Sequence, residues 1–214
     1  MGETTKQDID AAQSSLRKHD SHHDASSFRL HHTATPHFSM HETTLQDQRA
    51  ATAPHRSSRY DTLKTAALGF IHAQTCNAAL PTRMDFDALR ALTAPGYSHE
   101  FGPAYAVSQA PKLQGRFSVD AFIQHLEGMI PNLEGWEVEV TGTVVDEVGG
   151  SVVVRAGYWM QVKGADEEEK VQNDVVWWLE MEDGAEGCRV RKSTEMVDAG
   201  AAGRIRELMM RGKG

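Results

Sequence analysis

At 214 residues and 23.6 kDa, the chain suits one domain with an appendage better than two full domains. Its composition is 40% hydrophobic and 24% charged, and its formal charge of −8 includes no basic run. Gripping a phosphate backbone needs clustered Lys and Arg, so nucleic acid is excluded as a leading partner.

In chain order, residues 1–57 come first and read as a disordered tail. Between Met1 and Ser58 the Leu, Ile, Val and Phe residues are only Ile9, Leu16, Phe28, Leu30, Phe38 and Leu45. That is too little apolar surface to offset the entropy of ordering the segment. Eight of the eleven histidines lie here: His19, His22, His23, His31, His32, His37, His41 and His55. Their spacings match no structural zinc pattern, so no metal site is expected.

The domain proper is expected over residues 58–214. Ser58-x-x-Asp61 opens a helix that should run to about Asn77, with Tyr60, Leu63, Ala67, Phe70, Ile71 and Gln74 on one face. Asp85 can cap a shorter helix over FDALRALTA, closed by Pro95-Gly96. Ser118 can cap a third, VDAFIQHLEGMI, which buries Val119, Phe122, Ile123, Leu126 and Ile130 and leaves His125 at the edge of that face. After Pro131 the period changes from 3.6 to 2. WEVEVTGTVVDEV turns at Gly149-Gly150 into SVVVRAGYWMQV; VQNDVVWWLEM and CRVRKSTEMVD follow, and GRIRELMMRG closes as a helix. Three helices followed by four alternating strands predict an α+β fold. Its N-terminal helices should pack on a strongly curved antiparallel sheet that encloses a cone-shaped pocket.

Four segments stand in an order met elsewhere: LKTAALGFI (63–71), Leu89-Arg90-Ala91 followed by Tyr97-Ser98-His99, NDVVWWL (173–179), and Glu195-Met196-Val197-Asp198-Ala199. Together they resemble the nuclear transport factor two-like superfamily, which includes SnoaL-like polyketide cyclases and scytalone dehydratase. They are most similar to small fungal SnoaL-like proteins of secondary-metabolite pathways. The resemblance implies a cofactor-independent cyclase, isomerase or dehydratase acting on a polyketide- or terpenoid-derived intermediate. It also implies Glu195 as a carboxylate inside the pocket and Arg90 as a guanidinium reaching in from the second helix.

The residues add to this. On the strand 171–181, Asp174 and Glu180 share one face and would be costly to bury unpaired, which turns Asn173 and Trp177 inward as substrate-positioning residues. His99, expected near the mouth, can act as a second proton carrier, and Tyr97 and Tyr158 as phenolic donors. Glu195 in an apolar cone should have its pKa raised by desolvation, while a neighbouring Arg90 would lower it and stabilise developing negative charge. Two other readings use the same pocket. It can work by shape alone, as a pericyclase would, or serve as a non-catalytic binding or dimerisation module. Related fungal proteins tend to carry tyrosines where Val171 and Val175 stand, and their loss favours the binding module.

Cys76 and Cys188 are too few for a disulfide framework or a four-thiolate zinc site and read as free thiols of a reducing compartment. The opening MGETTKQDID lacks a secretory layout, and no apolar run approaches the roughly 20 residues that span a bilayer. The expected setting is the cytoplasm, with a small-molecule substrate, no membrane and no nucleic acid. Trp159 and Trp178 on the outside of the sheet predict a homodimer. Dinucleotide, nucleotide, zinc-peptidase and serine-hydrolase motifs are absent.

Overall fold

A computed structural model describes residues 58–185 and 187–212. The expected histidine-rich tail lies outside them.

Helix α1 (Ser58–His72) buries Leu63, Ala67, Phe70 and Ile71, the stripe expected from the 3.6-residue period. It stops before Asn77. After His72 the chain tightens into three-residue turns, Gln74 N–H donating to the Ile71 carbonyl and Thr75 N–H to that of His72. The Trp136 indole N–H then takes the Gln74 carbonyl at 2.7 Å, which ties this end to the sheet. Asp85 caps α2 (Phe86–Ala91) by accepting from Ala88 N–H at 2.9 Å.

Residues 92–94, expected in that helix, instead lead into strand β1 (Thr93–Gly102). Pro95 and Gly96 fall at an irregularity in this edge strand, where the register jumps between Thr93 and Ser98 and Gly96 takes φ +77°. A short helix α3 (Ala104–Ser108) follows, with no counterpart in the sequence reading. Helix α4 (Val119–Met129) starts on the Ser118 cap and buries Phe122, Ile123 and Leu126.

Strands β2 (Leu133–Asp146), β3 (Ser151–Val162), β4 (Val171–Gly184) and β5 (Gly187–Val197) form the expected antiparallel meander. The sheet as a whole is mixed, because β1 joins the far side of β5 in parallel to give the order β1-β5-β4-β3-β2. Extra residues in β2 at Glu134 and Thr141, and in β5 at Arg191, interrupt the ladders and curl the sheet. Helix α1 packs on β5, β2 and β3, while α4 packs on β1. The core is the space between these helices and the sheet. Among the described residues, no helix is long and apolar enough to cross a membrane.

The last helix, α5 (Ala199–Arg211), begins four residues before the expected start because Asp198 caps it, accepting from Gly200 N–H at 2.8 Å and Ala201 N–H at 3.2 Å. It packs on β3 and β4 and buries Ile205 and Leu208. Replacing Asp198 with Ala should cost about 1 kcal/mol of unfolding free energy. Asp198→Asn, which can still cap, should cost less, and paired urea titrations of the two variants check this.

Candidate active site

The arrangement of the site begins with the extra residue in β5. Strict alternation would put Arg189, Arg191, Ser193 and Glu195 on one face. The register instead pairs Glu180 with Lys192 and Met181 with Val190, leaving Arg191 unpaired. Cys188 and Val190 therefore point inward before the bulge, and Ser193 and Glu195 after it. Arg191 is turned outward, 2.6 Å from Glu180.

Ser193, absent from the expected site, is its hub. Its Oγ lies 2.5 Å from the Tyr97 hydroxyl and 2.8 Å from His99 Nδ1, and all three side chains are buried. Parallel pairing brings them together, since His99 stands opposite Ser193 and Phe101 opposite Glu195. Ser193 carries one proton. Where Tyr97 O–H donates to Ser193 and Ser193 O–H to His99 Nδ1, the imidazole proton sits on Nε2. Among the described residues Nε2 has no hydrogen-bond partner, and Glu195 Oε2 lies 3.7 Å from it. That distance is too long for a hydrogen bond. An oxygen set off the line between them, about 2.8 Å from each, would contact both.

His99 is not at a mouth. It is fully buried in mid-strand, its ring 4.1 Å from Phe122, 4.4 Å from Phe101 and 5.9 Å from Trp177. Burial, with His125 nearby, lowers its pKa to about 3. Glu195 keeps 15% of its side chain exposed, yet burial raises its pKa to about 8. At neutral pH the pair is mainly a carboxylic acid beside a neutral imidazole, not an ion pair. Burial also pushes up the pKa values of Tyr97 and Tyr158, and the Glu195 charge adds to both shifts.

Asn173 and Trp177 occupy the concave face of β4, while Asp174 and Glu180 pair outside with Arg155 and Arg191. Trp177 N–H donates to the Tyr158 hydroxyl at 3.1 Å. The buried Asn173 Oδ1 has no hydrogen-bond partner among the described residues. Phe70, Phe122 and His99 surround the Trp177 ring at 5.7–6.4 Å between centroids. The concavity that should have held an open pocket is therefore filled with rings.

Arg90 is the clearest correction. Its guanidinium is at the surface, 3.3 Å from Asp120 at the start of α4 and 3.5 Å from Asp87, where it ties α2 to α4. It does not reach Glu195, so the expected lowering of the carboxyl pKa is missing. Nothing in the sequence separates an arginine that turns inward from one that pairs with an acid 30 residues on.

Comparison with solved structures adds the fold. PrhC from Penicillium brasilianum matches with a TM-score of 0.56 at 15% identity, over 73% of this chain and 93% of that one. The BvnE pinacolase from Penicillium brevicompactum matches at 0.55 and 12%, over 72% and 98%. A SnoaL-like protein from Jannaschia sp. CCS1, assigned as a polyketide cyclase, matches at 0.52 and 16%, over 70% and 94%. The chain has the SnoaL-like cone fold. No family model and no curated protein matches its sequence. Helices α1 and α4 pack on the sheet, His99 and Tyr158 meet Trp177, and Tyr97 joins them through Ser193.

The two shifted groups predict a pH signature. The Glu195 pKa rises from 4.5 to about 8, so its contribution to stability is complete below 4.5 and is lost as pH climbs toward 8. The His99 pKa falls from 6.5 to about 3, so its contribution is complete above 6.5 and is lost as pH drops toward 3. The opposing slopes cancel between about 4.5 and 6.5. Stability should be flat there, falling on the alkaline side through Glu195 and on the acid side through His99. In urea titrations across pH, Glu195→Gln should abolish the alkaline fall and keep the acid one.

Proposed function

We propose that the protein is a cofactor-independent isomerase, cyclase or dehydratase acting on an uncharged polyketide- or terpenoid-derived intermediate, with Glu195 moving the proton. The observation that carries this reading is the uncharged Glu195–His99 pair in an apolar interior. A carboxyl group with a pKa near 8 is present as acid and as base in useful amounts at neutral pH, the condition for efficient proton transfer. It gives a proton to a substrate oxygen, becomes a carboxylate, and recovers a proton from carbon. An isomerisation or cyclisation then closes with no net gain or loss of protons, and a dehydration releases water.

With its proton on Nε2, His99 is a hydrogen-bond donor to the developing charge rather than a second proton carrier. A base role would need the opposite tautomer, with Nδ1–H donating to Ser193. Asn173 Oδ1 is the unpaired acceptor for a substrate hydroxyl, and Tyr158 with Trp177 sets the shape around it.

Glu195→Gln keeps the side-chain volume and removes the titration. Turnover of candidate intermediates should fall by about 10²–10⁴ in the folded variant. Undiminished turnover overturns the assignment. The filled cone favours a second reading, catalysis by shape or simple binding, in which Trp177→Ala does more damage than Glu195→Gln.

The proposal includes a cytoplasmic homodimer. The register aligns Val144, Val153, Trp178 and Thr194 across β2, β3, β4 and β5 on the convex face, where Val144 is 67% and Trp178 49% exposed. An apolar row at the centre of a sheet, flanked by the Arg155–Asp174 and Arg191–Glu180 pairs, suits a self-complementary contact. Sedimentation at micromolar concentration should give twice the 23.6 kDa chain mass, and Trp178→Lys should give the monomer.

A further inference from the structure

An open cleft of about 540 Å³ lies between the end of β1 and helix α3, lined by Phe101, Ala104, Val107, Leu113, Glu100 and Arg116 among others. It is within the size range of small-molecule sites. Its exposed lining is mainly apolar, and several of its polar groups are already engaged. Glu100 accepts from Arg116 at 2.7 Å and lies 3.1 Å from Lys192. The Gln114 amide donates to the Val107 and Ser108 carbonyls, both at 3.2 Å, and Ser108 Oγ donates to the Tyr105 carbonyl at 2.7 Å. An uncharged, mainly hydrocarbon molecule can lie against Phe101, Ala104, Val107 and Leu113 without displacing any of these partners.

One side chain belongs to both this cleft and the buried site. Phe101 lines the cleft and is partly exposed. On its other side its ring meets the His99 ring edge to face at 4.4 Å, and its backbone stands opposite Glu195. Phe117 at 5.5 Å and His125 at 5.1 Å flank it.

We propose that this cleft is the outer half of the binding site for an uncharged apolar small molecule, and that the Phe101 ring is the gate between it and the Glu195–His99 pair. The proposal rests on the functional reading above, because the gate has a purpose only if a ligand must reach Glu195. Turning the Phe101 ring aside breaks its packing on His99, Phe117 and His125 but needs no change in the backbone, so it is a local step slower than entry into the open cleft. It joins a cleft that is open to a reactive pair that is closed, without unpacking Trp177 from Phe70 and Phe122. Residue 101 would thus set which molecules pass inward, while Val107 and Leu113 hold the part that stays outside.

The test is binding of the uncharged fluorophore N-phenyl-1-naphthylamine to the full chain, followed by stopped flow. It should bind in two phases, a fast one for the cleft and a slower one for passage beyond Phe101. Leu113→Arg, which puts a charge on the apolar wall, should weaken binding by at least about tenfold. Phe101→Ala should speed the slow phase by about tenfold or merge it with the fast one. Phe101→Leu should do the same to a smaller degree, and it keeps the apolar packing should the alanine variant fail to fold. Wild-type affinity in Leu113→Arg, or an unchanged slow phase in folded Phe101→Leu, overturns the proposal. The probe is not a substrate, so these results stand apart from turnover. Gating without any Glu195-dependent reaction would sink the catalytic reading alone. Glu195-dependent turnover indifferent to residues 101 and 113 would sink the gate alone.

Discussion

Inside the curled sheet, side-chain rings take the place that water would otherwise hold. Trp177 is packed against Phe70 and Phe122, and His99 lies between Phe122 and Phe101. Such an interior cannot solvate charge, and among the described residues no counter-charge acts on Glu195; Arg90 is held outside by Asp87 and Asp120. The neutral state of Glu195, that of His99, and the upward shifts of Tyr97 and Tyr158 all follow from this one constraint. Polar groups survive there by bonding to each other, as Tyr97, Ser193 and His99 do, or stay unpaired, as Asn173 Oδ1 does.

Much of the frame was legible from periodicity. The stripe Leu63, Ala67, Phe70 and Ile71 named the buried face of α1, and Asp85 and Ser118 cap the helices expected of them. The cost of burying Asp174 and Glu180 placed Asn173 and Trp177 on the concave side, because β4 alternates without interruption there. What periodicity missed lies where periodicity breaks. The unpaired Arg191 turns Val190 and Cys188 inward in place of Arg191 and Arg189, while Ser193 keeps the face of Glu195 that alternation gives it and was passed over because a serine there carries no signal of its own. Strand β1 pairs in parallel with a segment nearly 100 residues later, a choice with no local signal, and it carries His99 from an expected rim to the centre of the core.

The arrangement has a consequence for how any reaction proceeds. A desolvated acid is poised to move protons, but the packing that desolvates it also closes it. An open pocket would have let water in and drawn the Glu195 pKa back toward its ordinary range. A filled cone served by a movable side chain keeps the acid dry between encounters, and the partly exposed Phe101 beside an outer apolar cleft is placed for that role.

The central claim is that burial alone keeps Glu195 protonated at neutral pH. The direct measurement is a ¹³C NMR titration of glutamate side-chain carboxyls in the labelled protein, with the Glu195 resonance assigned by its loss in Glu195→Gln. The Glu195 carboxyl should titrate with a midpoint near 8. A Glu195 midpoint close to the ordinary 4.5 would contradict it, because the site would then hold a carboxylate that no counter-charge explains.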